Sequence, residues 1–144
     1  MPTNKKVGFY LANINTEQFA ILIKELENVP ELSLNIDINF GIDANTNMIG
    51  CFVNINYLQN GQVAMVIEVK CEFQIEQEAW ASFIKPGKKF KVSKGFLQHL
   101  AIISVGTTRG ILHAKTEKTE YNHYPLPTIN VSEKLKTDQV FDLD

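Results

Sequence analysis

From Leu32 onward, hydrophobic and polar residues alternate without a break. Leu32, Leu34, Ile36, Ile38, Phe40 and Ile42 hold the even positions, and Ser33, Asn35, Asp37, Asn39, Gly41 and Asp43 the odd ones. A period of two puts one set of side chains on a buried face and the other in water, and so predicts a strand. A second run places Ile49, Cys51, Val53, Ile55 and Tyr57 on one face, and a third places Val63, Met65, Ile67, Val69, Cys71, Phe73 and Ile75 on one face. Gly41, Asp43, Asn45 and Asn47 separate the first two runs, and Asn60-Gly61 separates the last two.

The parity of these runs constrains the hairpin between them. A two-residue Asn60-Gly61 loop pairs Gln59 with Gln62 and sets odd residues opposite even ones, which sends one apolar set to solvent. A three-residue loop, Gln59 to Gly61 with Gly61 left-handed, pairs Leu58 with Gln62 and keeps both odd sets on one face. The three-residue loop is therefore expected. In that register Cys51 faces Val69 and Cys71 faces Ile49, so the two cysteines are diagonal neighbours roughly 7–8 Å apart and stay reduced.

Upstream, Val7 to Asn15 alternates loosely and reads as a further strand. Residues 16–30 come next with two readings open: a short amphipathic helix, in which Phe19, Leu22, Ile23 and Leu26 share a face, or an apolar crossover loop. Downstream, Trp80, Phe83 and a Pro86-Gly87 turn lie between Glu76 and Lys91. From Ser93 to about Lys115, Phe96, Leu100, Ile103, Thr107, Ile111 and Ala114 recur at helical spacing, which predicts one long helix. Gly106 and Gly110 each cost about 1 kcal/mol inside it relative to Ala, so a close packing partner is expected there. After a proline-punctuated loop from Tyr121 to Pro127, Asn130 and Glu133 have the spacing of a capping box opening a short last helix through about Lys136. Four strands followed by two helices is an α+β order. It predicts a four-stranded antiparallel sheet covered by one long helix plus a short C-terminal helix, as a single domain over residues 1–136 with a loose acidic tail over 137–144.

Composition narrows the function more than the fold. The 144 residues carry a formal net charge of -2 with 21% charged side chains, so no large single-sign field is available for nucleic acid or an anionic membrane. Met1 to Lys6 is polar, and no apolar stretch approaches the ~20 residues a bilayer crossing needs. A soluble, cytoplasmic protein with no membrane insertion is expected. Two cysteines without CxxC spacing make no zinc set. His99 and His113 are separated by about 21 Å of helix axis and cannot share a metal, while His123 stands alone in a loop. There is no GxSxG, GxGxxG or GxxxxGKS motif. The residues point to no catalytic site, metal or cofactor.

Four segments, in order, resemble the SecB protein-export chaperones. Phe9-Tyr10-Leu11-Ala12-Asn13-Ile14-Asn15-Thr16-Glu17 is similar to that family's first strand, Pro30-Glu31-Leu32-Ser33-Leu34-Asn35-Ile36-Asp37 to the opening of its second, and Ile67-Glu68-Val69 to its fourth. Leu126-Pro127-Thr128-Ile129-Asn130-Val131 resembles its Leu-Ala-Pro-Val-Asn-Phe signature before the last helix. The chain departs from the family at Asn13, where an Asp is usual, in lacking a loop tryptophan, and in a proline displaced by one residue.

The resemblance implies a holdase for unfolded polypeptides that uses no cofactor and no ATP. It implies a homotetramer, a dimer of dimers in which long helices and first strands meet; Phe96, Leu100, Ile103, Gly106 and Gly110 are the candidates for the helix seam, with packing on the protomer's own sheet as the competing reading. It also implies a client groove between the crossover and the last helix, lined by Phe19, Ile21, Ile23, Leu26, Val29 and Leu135. Asn13, Glu17 and Glu68 would then lie on an outer sheet face offered to the motor SecA. A chaperone dedicated to one client, such as an antitoxin, uses the same scaffold. A hotdog-type acyl-thioester enzyme is the enzymatic alternative, but its helix normally precedes most of the strands, whereas here the helix comes after them.

Overall fold

The computed structural model describes residues 7–27 and 32–143. Along the chain run β1 (Phe9–Ile21), β2 (Leu32–Asp43), β3 (Met48–Gln59), β4 (Gln62–Ile75), α1 (Gln77–Phe83), β5 (Ile84–Lys85), β6 (Lys89–Val92), α2 (Lys94–Thr116), α3 (Val131–Lys134) and β7 (Gln139–Asp142). One turn of 3-10 helix covers Glu120–His123. The class is the α+β one that the periodicities predict. β1 to β4 form an antiparallel sheet in the order β1-β4-β3-β2, and α2 lies across one face.

The odd-numbered residues of β3 and β4 face α2 and form the centre of the core. Ile49, Cys51, Val53, Ile55, Ile67, Val69, Cys71 and Phe73 are all fully buried. Covering a side chain of the size of Ile55 or Ile67 contributes on the order of 1.5–3 kcal/mol before conformational entropy. The helix supplies Leu97, Leu100, Ala101, Val105 and Leu112 from the opposite side. Ser93 caps α2, its hydroxyl accepting from the Phe96 amide at 3.3 Å. The buried hydroxyls of Ser104, Thr108 and Thr116 donate to the carbonyls of Leu100, Ser104 and Leu112 at 2.7–2.8 Å, so they enter the core without leaving a polar atom unpaired.

The hairpin differs from the expected three-residue loop. Gln59 pairs with Gln62 across a two-residue turn, and both central residues take positive φ, 52° at Asn60 and 81° at Gly61. That is the Asn-Gly turn whose twist matches the flanking strands. Parity is rescued one step further on. Leu58 pairs with Val63 but Tyr57 pairs with Met65, so Ala64 is an extra residue on β4 and the odd sets realign on one face. In the resulting register Cys51 stands directly opposite Cys71 rather than diagonal to it, and both thiols are free and buried.

The bulge also fixes the path of the chain beyond β1. The Ala64 carbonyl accepts from the amides of Leu22 at 2.8 Å and Ile23 at 3.1 Å, and from the Tyr121 hydroxyl at 3.3 Å. Residues 16–21, open to a helical reading in the sequence, extend β1 instead. β4 offers an unpaired edge as far as Met65, and this outweighs the local helical preference of Phe19 to Leu26. Ala12 and Glu17 are single-residue bulges on β1.

Two further differences lie in the C-terminal third. The Asn130 carboxamide does not cap α3, because its oxygen accepts from the Ser132 hydroxyl at 2.7 Å, so the capping box does not form. The tail expected to be loose is instead ordered as β7, which joins β5 and β6 in a second, three-stranded sheet of order β5-β6-β7. Phe90 of β6 anchors that sheet, its ring centre 4.3 Å from that of the tilted Trp80 and 5.5 Å from that of Phe83, which meets it edge to face.

This packing generates two stability measurements. Burial pushes the Cys51 thiol up to about 12, opposed by a Ser104 hydrogen bond and aided slightly by Cys71, and burial pushes the Tyr57 phenol up to about 12. Both acids hold their protons longer folded than unfolded. Stability should therefore be undiminished below about pH 9, where an unfolded thiol ionises. Above that it should fall by about 1.4 kcal/mol per pH unit through Cys51, with a like slope from Tyr57 above about pH 10, until the folded groups titrate as well. Denaturant unfolding between pH 8 and 11 checks this, and Cys51→Ala should flatten the decline. Tyr121→Phe removes the hydroxyl that donates to the Ile23 carbonyl at 2.5 Å and to Ala64, and should cost about 1–3 kcal/mol at neutral pH by the same assay.

Candidate functional site

After α2 the chain turns and runs back along the helix as an extended return segment, residues 117–136, tied down from both sides. From α2, Arg109 Nη2 donates to the Pro127 carbonyl at 3.0 Å and Gln98 Nε2 to the Leu135 carbonyl at 2.7 Å. From the sheet, the Tyr57 hydroxyl donates to the Tyr124 carbonyl at 2.6 Å, and Lys134 Nζ reaches the Ile36 carbonyl on β2 at 3.2 Å. The return segment thus lies over the β2–β3 side of the helix-bearing face.

Between this segment and β2 runs a groove of about 530 Å3, lined by Ile36, Pro127, Ile129, Asn130, Glu133 and Lys134. β2 is an edge strand of the four-stranded sheet. Its apolar row, Leu32 to Ile42, faces the same side as the core residues of β3, yet every member is only half-buried. An open strand edge beside a half-covered apolar row matches an extended peptide, which needs backbone partners on one side and apolar contact for alternate side chains. The Lys134 bond to the Ile36 carbonyl shows that this edge accepts donors from outside the sheet.

The expected crossover residues lie elsewhere. Phe19 and Ile21 sit on β1 opposite Ile67 and Met65, with the Lys115 ammonium 5.7 Å from the Phe19 ring centre. The crossover is pinned over the end of the sheet. The Ile23 carbonyl accepts from Tyr121, the Leu26 amide donates to Glu120 Oε2 at 2.9 Å, and the Glu27 amide donates to Gln59 Oε1 at 3.1 Å. Phe19, Ile21, Ile23 and Leu26 are half-buried against the core, and Leu22, outside the expected groove lining, is 61% exposed. Val29 lies outside the described residues. Leu135 packs near Gln98 at the other end of α2, about 27 Å along the axis from Thr116, so it shares no pocket with Ile23 and Leu26.

The expected docking residues do share the outer sheet face. Asn13 is opposite Glu72, Gln18 is opposite Glu68, and Glu17 occupies a bulge between them. Lys70 pairs with Glu17 at 3.3 Å and Glu72 at 3.9 Å, and Asn54 donates to Glu68 at 3.0 Å. Asp37, opposite Asn54 on β3, shares this outer face with Glu17, Glu68 and Glu72.

On α2 the expected seam divides. Leu100 is fully buried in the protomer's own core and cannot meet a second helix. Phe96 packs 5.3 Å from Phe9, and Ile103 is half-buried. Gly106 and Gly110 face solvent with no atom within 4 Å of where a Cβ would stand, so the packing partner expected for them is not among the described residues of this chain. His99, Ile102 and His113 share that outward face, and Arg109 is the one formal charge between Gly95 and Lys115. A mostly apolar cleft of about 460 Å3 opens beside the two glycines, against Tyr121, Tyr124 and Leu126.

The cysteine thiols are held protonated by burial, and the buried hydroxyls are engaged with helix carbonyls. No three His, Cys, Asp or Glu side chains of the described residues converge on a metal-sized site, and no helix among them is long and apolar enough to cross a membrane.

No protein-family model and no curated protein matches the chain. Among solved structures, it is similar to the Mycobacterium tuberculosis Rv1957 SecB-like chaperone in complex with a ChAD peptide from the Rv1956 HigA1 antitoxin. The identity is 10%, the match covers 85% of this chain and 88% of that one, and the TM-score is 0.43.

Proposed function

We propose that the chain is a non-catalytic holdase of the SecB type, which binds extended, non-native polypeptides in the groove between β2 and the return segment. The observation that carries this reading is the β2 edge: an open strand edge, a half-covered apolar row and a facing wall that includes Ile129 and Lys134. Such a site reads backbone and alternate apolar side chains rather than a folded shape, so its clients share an extended conformation more than a sequence.

Assembly completes the reading. An outward helix face with two glycines, an exposed isoleucine and one formal charge is suited to a second copy of the same helix, in the homotetramer that the family resemblance implies. The acidic outer face carrying Asn13, Glu17 and Glu68 is the surface for a basic partner such as SecA, in a cytoplasmic export role. That role is proposed over service to a single client such as an antitoxin.

In the groove, Ile129→Asp combined with Lys134→Glu should weaken binding of a reduced, unfolded test protein at least tenfold, about 1.4 kcal/mol, at a temperature where circular dichroism shows the variant folded. Unchanged affinity with an intact fold would place the site elsewhere. On the helix, Gly106→Ala should stabilise an isolated protomer by about 1 kcal/mol, since nothing in the protomer opposes the added methyl. Gly106→Leu should lower the solution mass by blocking close helix approach; an unchanged mass would remove α2 from the assembly surface.

A further inference from the structure

We propose that the outer edge of β6 is a second strand-docking site, selective for extended polypeptide in which acidic and apolar residues alternate, and that the chain's own C-terminus fills it here. β7 is added to β6 as a bound peptide would be. Lys89 pairs with Asp142, Phe90 with Phe141, Lys91 with Val140 and Val92 with Gln139. On the inner side Phe141 reaches the Phe90 ring at 6.4 Å. On the outer side Lys89 forms an ion pair with Asp142, and Lys91 pairs with Asp138 at 3.7 Å. Asp138 makes a further contact, its Oδ1 accepting from the Lys94 amide at 2.8 Å in the first turn of α2, where a carboxylate is favoured. Lysines, an aromatic floor and a helix N-terminus together therefore read three positions of this segment, Asp138, Phe141 and Asp142.

Two observations mark this segment as a replaceable occupant rather than a core strand. No residue from Gln139 to Leu143 is fully buried, and Val140 is 55% exposed, whereas Phe90 and Val92 beneath them are wholly buried. The floor also stands without it, because Phe90 is held by Trp80 and Phe83 from the other side. Residues 85–94 contain Lys85, Lys88, Lys89, Lys91 and Lys94, five lysines in ten residues of a chain of net -2. An acidic strand is the chemistry that this edge favours.

The site stands apart from the β2 groove, and its test is independent of client binding there. In the full chain, amides of Val140 to Asp142 should exchange with solvent at least 100-fold faster than those of Val53 and Ile67, because β7 opens without the main sheet. Equal protection would overturn the proposal. A labelled peptide copying residues 137–144 should bind the full-length Phe141→Ser chain at least tenfold more tightly than the unmutated chain, whose own tail competes. Asp142→Lys, which leaves Phe141 in place, should act in the same direction. The same peptide carrying Asp138→Lys and Asp142→Lys should bind neither. Failure of the copied peptide to bind either variant, equal binding of its charge-reversed form, or displacement of the tail by a single-stranded oligonucleotide but not by the peptide would each overturn it.

Discussion

The architecture depends on a mismatch of widths. Four strands spaced about 4.8 Å apart present an apolar face wider than the ~10 Å of a single helix can cover. α2 lies over β3 and β4, whose inward residues are fully buried, and the equivalent rows of β1 and β2 are left half-covered. The remaining elements work on that deficit. The crossover closes the end of the sheet, the return segment partly closes the β2 side, and what stays open is the groove along β2 and the flank of β1.

The partial closure is held by polar contacts, which is why it can be specific without being tight. Arg109, Gln98, Tyr57 and Lys134 each bind a carbonyl, three on the return segment and one on β2, while Tyr121 binds the crossover. Among the described residues no buried side-chain nitrogen or oxygen lacks a partner, so these segments cost little in unpaired groups even where their apolar contact is incomplete. The bulge at Ala64 belongs to the same scheme. It restores the strand register and turns out a carbonyl that receives three donors. One inserted residue thus sets both the face of β4 and the path of the crossover.

The two candidate binding surfaces repeat one principle at different charge. The β2 edge offers backbone and apolar contact beside a mixed-charge wall, whereas the β6 edge adds lysines and a helix N-terminus to the same strand geometry. Both arise from strand edges that the chain does not bury in its main core, which are usually a liability.

The alternation of Leu32 to Ile42, Ile49 to Tyr57 and Val63 to Ile75 determined three strands and their buried faces, because a period of two is a local property of the backbone. The spacing from Ser93 to Lys115 determined the long helix for the same reason. The sequence also showed two glycines, Gly106 and Gly110, inside the helix pattern, and carboxylates at Glu17 and Glu68. Only the tertiary structure decided the hairpin register, since the Ala64 bulge that reconciles a two-residue turn with the strand faces leaves no mark in the periodicity. It decided that residues 16–21 extend β1, because the β4 edge outweighs local propensity. It put Leu100 in the core rather than in a seam, and it separated Leu135 from the crossover by most of the length of α2. It also gave the acidic tail a partner, since Lys89 and Lys91 lie nearly fifty residues from Asp138 and Asp142 along the chain and meet them only once β6 has formed. Local repetition fixes what each segment becomes, and long-range hydrogen bonds and shared apolar area fix which segments stand together.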